Sequence, residues 1–160
     1  MSKKYRRGEY IIHQGGRVTY MYYVVKGIIK LLFVDASGKE HILSFAQENW
    51  WESDYAAYYN GSCATMSLKC LEDCEVLCLG LNDLKELCAK IPKMESFFLR
   101  KAINGHIASQ QRILSLLSTN PKERYEQLVQ KYPSLLQRVS KTQLAAYLGV
   151  SRETLSRFTS

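Results

Sequence analysis

The sequence predicts an α+β chain: a β-rich first part, then a long helix, then a compact pair of short helices. Three observations lead there. Short β-branched and aromatic runs, separated by glycine-bearing turns, fill the first ~80 residues. Beyond them the apolar spacing changes from two to three and four. The stretch 140–157 then carries two helix caps on either side of a glycine.

The first strand expected from the pattern is Tyr20-Met21-Tyr22-Tyr23-Val24-Val25, broken by Lys26-Gly27. A second run covers 28–34. Asp35-Ala36-Ser37-Gly38-Lys39 reads as a turn, and 41–45 as the return strand. A further strand pair is expected at 65–68 and 75–79, joined across Leu71-Glu72-Asp73. Several short strands of this kind suit a sandwich or barrel. Gly8, Gly15, Gly16, Gly27, Gly38 and Gly61 stand where a positive φ would be useful.

Asn82 is read as the cap of a short helix ending near Lys90, and Pro92 resets the chain. A long helix follows over 93–118. Its apolar positions Leu99, Ile103, Ile107, Leu114 and Leu117 share one face. Gly105 within it suggests a close helix–helix approach. Such a stripe either folds back as core or pairs with a second copy. Pairing is favoured here, although the stripe is too broad for a strict heptad seam. Asn120-Pro121-Lys122-Glu123 opens another helix with a cap, a proline at the first position and an acid at the third. That helix is expected to end before Pro133.

Charge separates the two parts. Residues 1–89 hold 10 Lys and Arg against 11 Asp and Glu, whereas 90–160 hold 12 against 4. The second part is the one suited to a polyanion. A hydrophobic content of 46% permits a packed core and argues against global disorder. No apolar run approaches the ~20 residues of a membrane span, and MSKKYRRGEYII lacks the apolar stretch of a signal peptide. The expectation is a cytoplasmic protein with no membrane partner.

The cysteines Cys63, Cys70, Cys74, Cys78 and Cys88 are odd in number, which disfavours a disulfide framework. The spacing of Cys70, Cys74 and Cys78 could suggest a metal or redox site. Their alternation with Val76, Leu77 and Leu79 favours free thiols acting as small buried hydrophobes. No metal and no cofactor are expected. A metal-dependent β-barrel enzyme would need clustered ligands, and His13, His41 and His106 are far apart with no His-x-His pair. The expectation is a protein that is not an enzyme. A protein-interaction module using a degenerate helix pair is the other rival, and steep salt dependence would separate it from a DNA binder.

The informative segment is 140–157. Ser140 and Gln143 form a capping box, and the helix they start runs to Leu148. Gly149 supplies the turn, and Ser151 caps the next helix. Ala145 is small where the helices meet, while Leu144, Leu148, Val150 and Leu155 fill their shared core. The second helix, 151–158, would then present Arg152, Glu153, Thr154 and Arg157 outward. Arg can donate twice to guanine, and Glu can accept from cytosine N4. Ser140, Thr142 and Gln143 are suited to phosphates. A helix-turn-helix that binds double-stranded DNA is the expectation.

At these residues the sequence resembles the Crp/Fnr family of bacterial transcription regulators. The stretch Leu148-Gly149-Val150-Ser151-Arg152-Glu153-Thr154-Leu155-Ser156-Arg157 is similar to the family's recognition helix. Arg7-Gly8-Glu9-Tyr10-Ile11-Ile12, Tyr22-Tyr23-Val24-Val25-Lys26-Gly27 and Leu71-Glu72-Asp73-Cys74-Glu75-Val76 resemble parts of its cyclic-nucleotide-binding-type β-roll. The resemblance implies a β-roll (double-stranded β-helix or jelly roll) sensor over 1–92, a dimerisation helix over 93–118 and a winged-helix-like helix-turn-helix domain over 119–160. It also implies a homodimer on a near-palindromic operator, with Arg152, Glu153 and Arg157 reading bases. RNA polymerase stands as a candidate partner, and no small-molecule effector is identified.

Three departures from the family pattern matter. Its nucleotide-binding members have a Gly-Glu pair and an Arg-Ser or Arg-Thr pair around the cyclic phosphate. Aligned here, those positions are Ser53-Asp54 and Ala64-Thr65. Without the arginine a buried phosphate is costly to desolvate, so cAMP is not expected as the effector. No cysteine precedes Cys63, which leaves the family's iron–sulfur mode unsupported. The chain is also expected to be short at both ends, with a wing reduced or absent after Phe158-Thr159-Ser160. The aromatic segment Trp50-Trp51-Glu52-Ser53-Asp54-Tyr55, with Tyr58-Tyr59, would either line a pocket or plug it. The plug is slightly favoured, because bulky rings fill volume.

Overall fold

A computed structural model describes residues 1–158, except for the side chain of Phe158. The chain divides into two compact units, Met1–Glu86 and Leu87–Ser160.

The first unit is built from two four-stranded sheets. One has the order β1 (Ser2–Tyr5), β8 (Cys74–Gly80), β3 (Tyr20–Lys26), β6 (Trp51–Glu52). The other has the order β2 (Tyr10–Ile12), β7 (Ser67–Cys70), β4 (Ile29–Val34), β5 (Glu40–Ala46). All pairings are antiparallel. The aromatic and β-branched run of β3 sets Val24 opposite Val76 of β8, and both are fully buried. Ile28, Ile29, Leu32 and Leu68 are fully buried beside them. Gly27 carries the chain from one sheet to the other at φ 96°. A Cβ there would stand 2.6 Å from Cys74 Sγ and 2.8 Å from the Asp73 carbonyl, so no other residue fits.

The hairpin between β4 and β5 forms as its composition requires. Asp35 accepts from Ser37 N at 2.9 Å and Lys39 N at 3.1 Å, and Gly38 takes a φ of 83°. Its carboxylate also meets His41 Nε2 at 2.7 Å.

Other expectations need correction. The strands near 65–68 and 75–79 are not a pair: β7 joins β2 and β4, while β8 joins β1 and β3 in the opposite sheet. Alternating hydrophobicity marks a strand but not the sheet that receives it. Gly16 does not have a positive φ. The segment after Trp51 contains a helix, α1 (Tyr55–Asn60), started by Asp54 and closed by Gly61 at φ 66°. The following helix, α2, covers Leu81–Lys90, so Asn82 lies inside it rather than at its cap.

The second unit is helical: α3 (Pro92–Ser118), α4 (Pro121–Lys131), α5 (Leu135–Arg138), α6 (Lys141–Leu148) and α7 (Arg152–Phe158). Pro92 opens α3 at its first position, where the missing N–H has no role, rather than standing before it. Asn120 and Glu123 form the expected capping box of α4. Leu128, Leu135, Val139, Leu144, Ala145, Leu148 and Leu155 are buried and form the core of this unit. None of the 27 residues of α3 is buried. Leu99, Ile103, Ile107, Leu114 and Leu117 are all exposed, the last by 81%. The stripe is therefore not core within the described chain, and nothing lies within 4 Å of where a Cβ on Gly105 would stand. No helix among the described residues is long and apolar enough to cross a membrane.

Candidate nucleic-acid interface

The α6–α7 pair starts at a reciprocal cap. Gln143 N donates to Ser140 Oγ at 3.3 Å, and the Gln143 side chain accepts from Ser140 N at 3.4 Å. Gly149 ends α6 at φ 72°, a conformation that an L side chain resists. Thr154 N donates to Ser151 Oγ at 3.1 Å, which caps α7. Leu144, Ala145 and Leu148 of α6 and Leu155 of α7 are buried, while Val150 is only half-buried.

With Leu155 turned inward, Arg152, Glu153 and Arg157 are left exposed on α7. Thr154 is half-buried, and its hydroxyl lies 3.1 Å from that of Ser151. Ser140 and Thr142 are exposed at the start of α6, and Gln143 is half-buried. Glu153 is held below the usual carboxylate range by its own backbone N–H, then by the Ser151 hydroxyl, with Arg152 and Arg157 adding to this against a small effect of burial. It remains an acceptor between two donors.

Two residues that the sequence did not single out hold the turn. Arg112 of α3 donates from Nη2 to the Tyr147 carbonyl at 2.7 Å, and its guanidinium lies 3.6 Å from the centre of the Tyr147 ring. Arg124 of α4 donates from Nε to the Leu148 carbonyl at 3.2 Å and from Nη1 to the Thr119 carbonyl at 2.6 Å. Their acceptors are backbone carbonyls, those of Tyr147 and Leu148 far along the chain, so sequence pattern carries no signal for them.

The effector positions of the β-rich unit are placed differently. Ser53 and Asp54 are fully buried, and Ala64 is nearly so. Ser53 Oγ donates to the Tyr20 carbonyl at 3.0 Å. The Asp54 carboxylate accepts from Ala57 N at 3.1 Å, Thr65 N at 2.8 Å, Thr65 Oγ1 at 3.0 Å and Met66 N at 3.1 Å. Burial would raise its pKa, but these four donors outweigh burial and hold the carboxyl below its usual range. Ser53, Asp54 and Thr65 thus use their polar groups on partners within the same unit.

Beside them, Glu52 is buried on β6. It accepts from Ser44 Oγ at 2.6 Å and Ser53 N at 3.1 Å, yet burial pushes its carboxyl up to about 7. Of the aromatic segment, Tyr58 is turned inward, while Trp50, Tyr55 and Tyr59 are exposed. Trp51 is half-buried, so the rings of this segment do not share one environment. Cys70, Cys74 and Cys78 are buried free thiols, as their alternation suggested.

Comparison with known proteins gives the class. Residues 2–91 match the family model of the cyclic nucleotide-binding domain. Over 96% of its length the chain is 22% identical to the cAMP-activated global transcriptional regulator CRP of Salmonella typhimurium, spanning 78% of that protein. FixK2 from Bradyrhizobium japonicum shares the fold with a TM-score of 0.84 at 18% identity, over 99% of this chain and 82% of that one. A CRP/FNR-family transcriptional regulator from Thermus thermophilus does so with a TM-score of 0.76 at 19% identity, over 99% and 83%. The chain belongs to the cyclic nucleotide-binding domain family and, within it, to the Crp/Fnr regulators.

Proposed function

We propose that this Crp/Fnr chain binds double-stranded DNA as a homodimer, with α7 entering the major groove and no response to cAMP. In this reading residues 1–92 are the sensor, 93–118 the dimerisation helix and 119–160 the DNA-binding domain. One observation carries it: Arg152, Glu153 and Arg157 are exposed on one short helix, capped by Ser151 and seated through Leu155. The unburied stripe of α3 supports pairing with a second copy, which would set two α7 helices about 34 Å apart on a near-palindrome.

The site around Asp54 argues against cAMP. Ala64 stands, nearly buried, at the aligned arginine position, and the Asp54 carboxylate already holds three backbone N–H groups and the Thr65 hydroxyl. A buried phosphate without a cationic partner is costly to desolvate. Calorimetry with the purified chain is expected to show no cAMP binding, and low-micromolar binding would refute this part. Selection of bound DNA from a random pool tests the rest. The expected product is a two-fold symmetric site. Arg157→Ala should weaken binding by about 1–3 kcal/mol and relax one base position. A uniform loss over all sequences would reduce Arg157 to a phosphate contact.

A further inference from the structure

We propose that Arg112 and Arg124 are positioning residues which clamp the end of α6 to α3 and α4 and so fix the direction in which α7 is presented. The proposal rests on the DNA-binding reading for its consequence, but the clamp itself stands on geometry.

The last carbonyls of a helix lack partners within it and form its negative pole. At the end of α6, Gly149 N and Val150 N both turn back to the Ala145 carbonyl. The Tyr147 and Leu148 carbonyls go instead to the two arginines, one each. Both cations therefore sit at the pole that favours them. They also stand close enough for Arg124 to disfavour the charge on Arg112, on top of the larger effect of burial. Two guanidinium groups are kept together only where fixed acceptors outweigh that repulsion, and here the helix end and the Tyr147 ring provide them.

The two arginines come from different helices. Arg124 also grips the Thr119 carbonyl, the residue that closes α3. One side chain thus joins the end of α3 to the end of α6. Arg112 lies farther back on α3 and reaches the same turn by stacking on Tyr147. Leu116, one helical turn on from Arg112, comes to 4.0 Å of the space beside Gly149. Three points on two segments hold a turn whose geometry decides where α7 begins. If two chains pair along α3, this clamp carries that pairing geometry to the spacing between recognition helices.

The test combines hydrogen exchange on the full chain with DNA selection. Arg112→Met keeps the length and removes charge and donors. Exchange over 141–158 should quicken by about tenfold or more, with the β-rich unit unchanged. Arg112→Lys keeps the charge without the flat stacking surface and should fall between. Tyr147→Leu keeps the carbonyl and loses the ring, and should give a smaller increase. In random-pool selection Arg112→Met should keep the base preferences of each half-site while accepting a wider range of half-site spacings. Unchanged exchange in Arg112→Met and Arg124→Met overturns the clamp. Faster exchange with the wild-type spacing retained overturns its role in presentation. A wild-type chain that selects no DNA refutes the DNA-binding reading instead, and the exchange data still judge the clamp.

Discussion

The two units treat their polar and apolar groups in opposite ways. In the β-rich unit charged groups lie inside and are fastened there: Asp54 to four donors, Glu52 to Ser44 and Ser53, and the buried Lys30 to Glu40. In the helical unit the apolar stripe of α3 faces outward, as do Arg152, Glu153 and Arg157. The first arrangement meets those charged groups with partners from the same unit. The second leaves surface whose burial would be favourable, at roughly 25 cal/mol for each Å² of apolar area covered. The proposed partner contacts draw on the second arrangement.

Substitutions can break or sharpen this contrast. Both tryptophans, Trp50 and Trp51, lie in the β-rich unit, so their fluorescence follows that unit alone. The largest effect should come from Asp54→Ala. It leaves several buried donors without an acceptor and should cost about 4 kcal/mol, read as an earlier fluorescence transition in urea. A shift below about 1 kcal/mol would mean that this polar centre is dispensable. Leu155→Ala should cost about 3 kcal/mol in the helical unit, seen as loss of helical circular dichroism at a lower temperature while the tryptophan signal holds. Coincident loss of both signals would show that the units do not unfold separately.

Glu52 gives a pH-dependent test. Its carboxyl ordinarily titrates at 4.5 and is raised to about 7 in the fold. The folded state therefore binds the proton more tightly, and stability should fall as pH rises from about 4.5 through about 7. Glu52→Gln should remove that slope, adding about 3 kcal/mol at pH 8 and nothing at pH 4. A slope unchanged in the variant would assign it to another group. The smallest effect is expected of Ser140→Ala, about 1 kcal/mol from the lost cap, measured as faster amide exchange in the first turn of α6.

Local chemistry was readable in the sequence. The caps at Asn120, Ser140 and Ser151 and the turn at Gly149 follow from short-range hydrogen bonds between residues three apart, or from one backbone angle. The exposure of Arg152, Glu153 and Arg157 followed from the same local pattern, because Leu155 fixes which side of α7 is buried. Long-range chemistry was not readable. Asp54 stands at an aligned effector position, and among its partners are the backbone N–H groups of Thr65 and Met66, which any residue but proline would offer. The same holds for Arg112 and Arg124, whose acceptors are carbonyls. The sheet assignments of β7 and β8 were hidden because alternation is identical on either side of a sandwich.

The pairing of Ser2 with Leu77 has a consequence for how the chain is made. As it leaves the ribosome, the first strand has no partner until the eighth is synthesised, roughly 4–15 seconds later at 5–20 residues per second. Tyr10 waits almost as long for Lys69. Contacts of such separation form slowly, whereas the caps of α6 and α7 join residues three apart. The nascent first unit thus passes through a period with open strand edges, in which chaperone contact or a pause in translation has its greatest leverage.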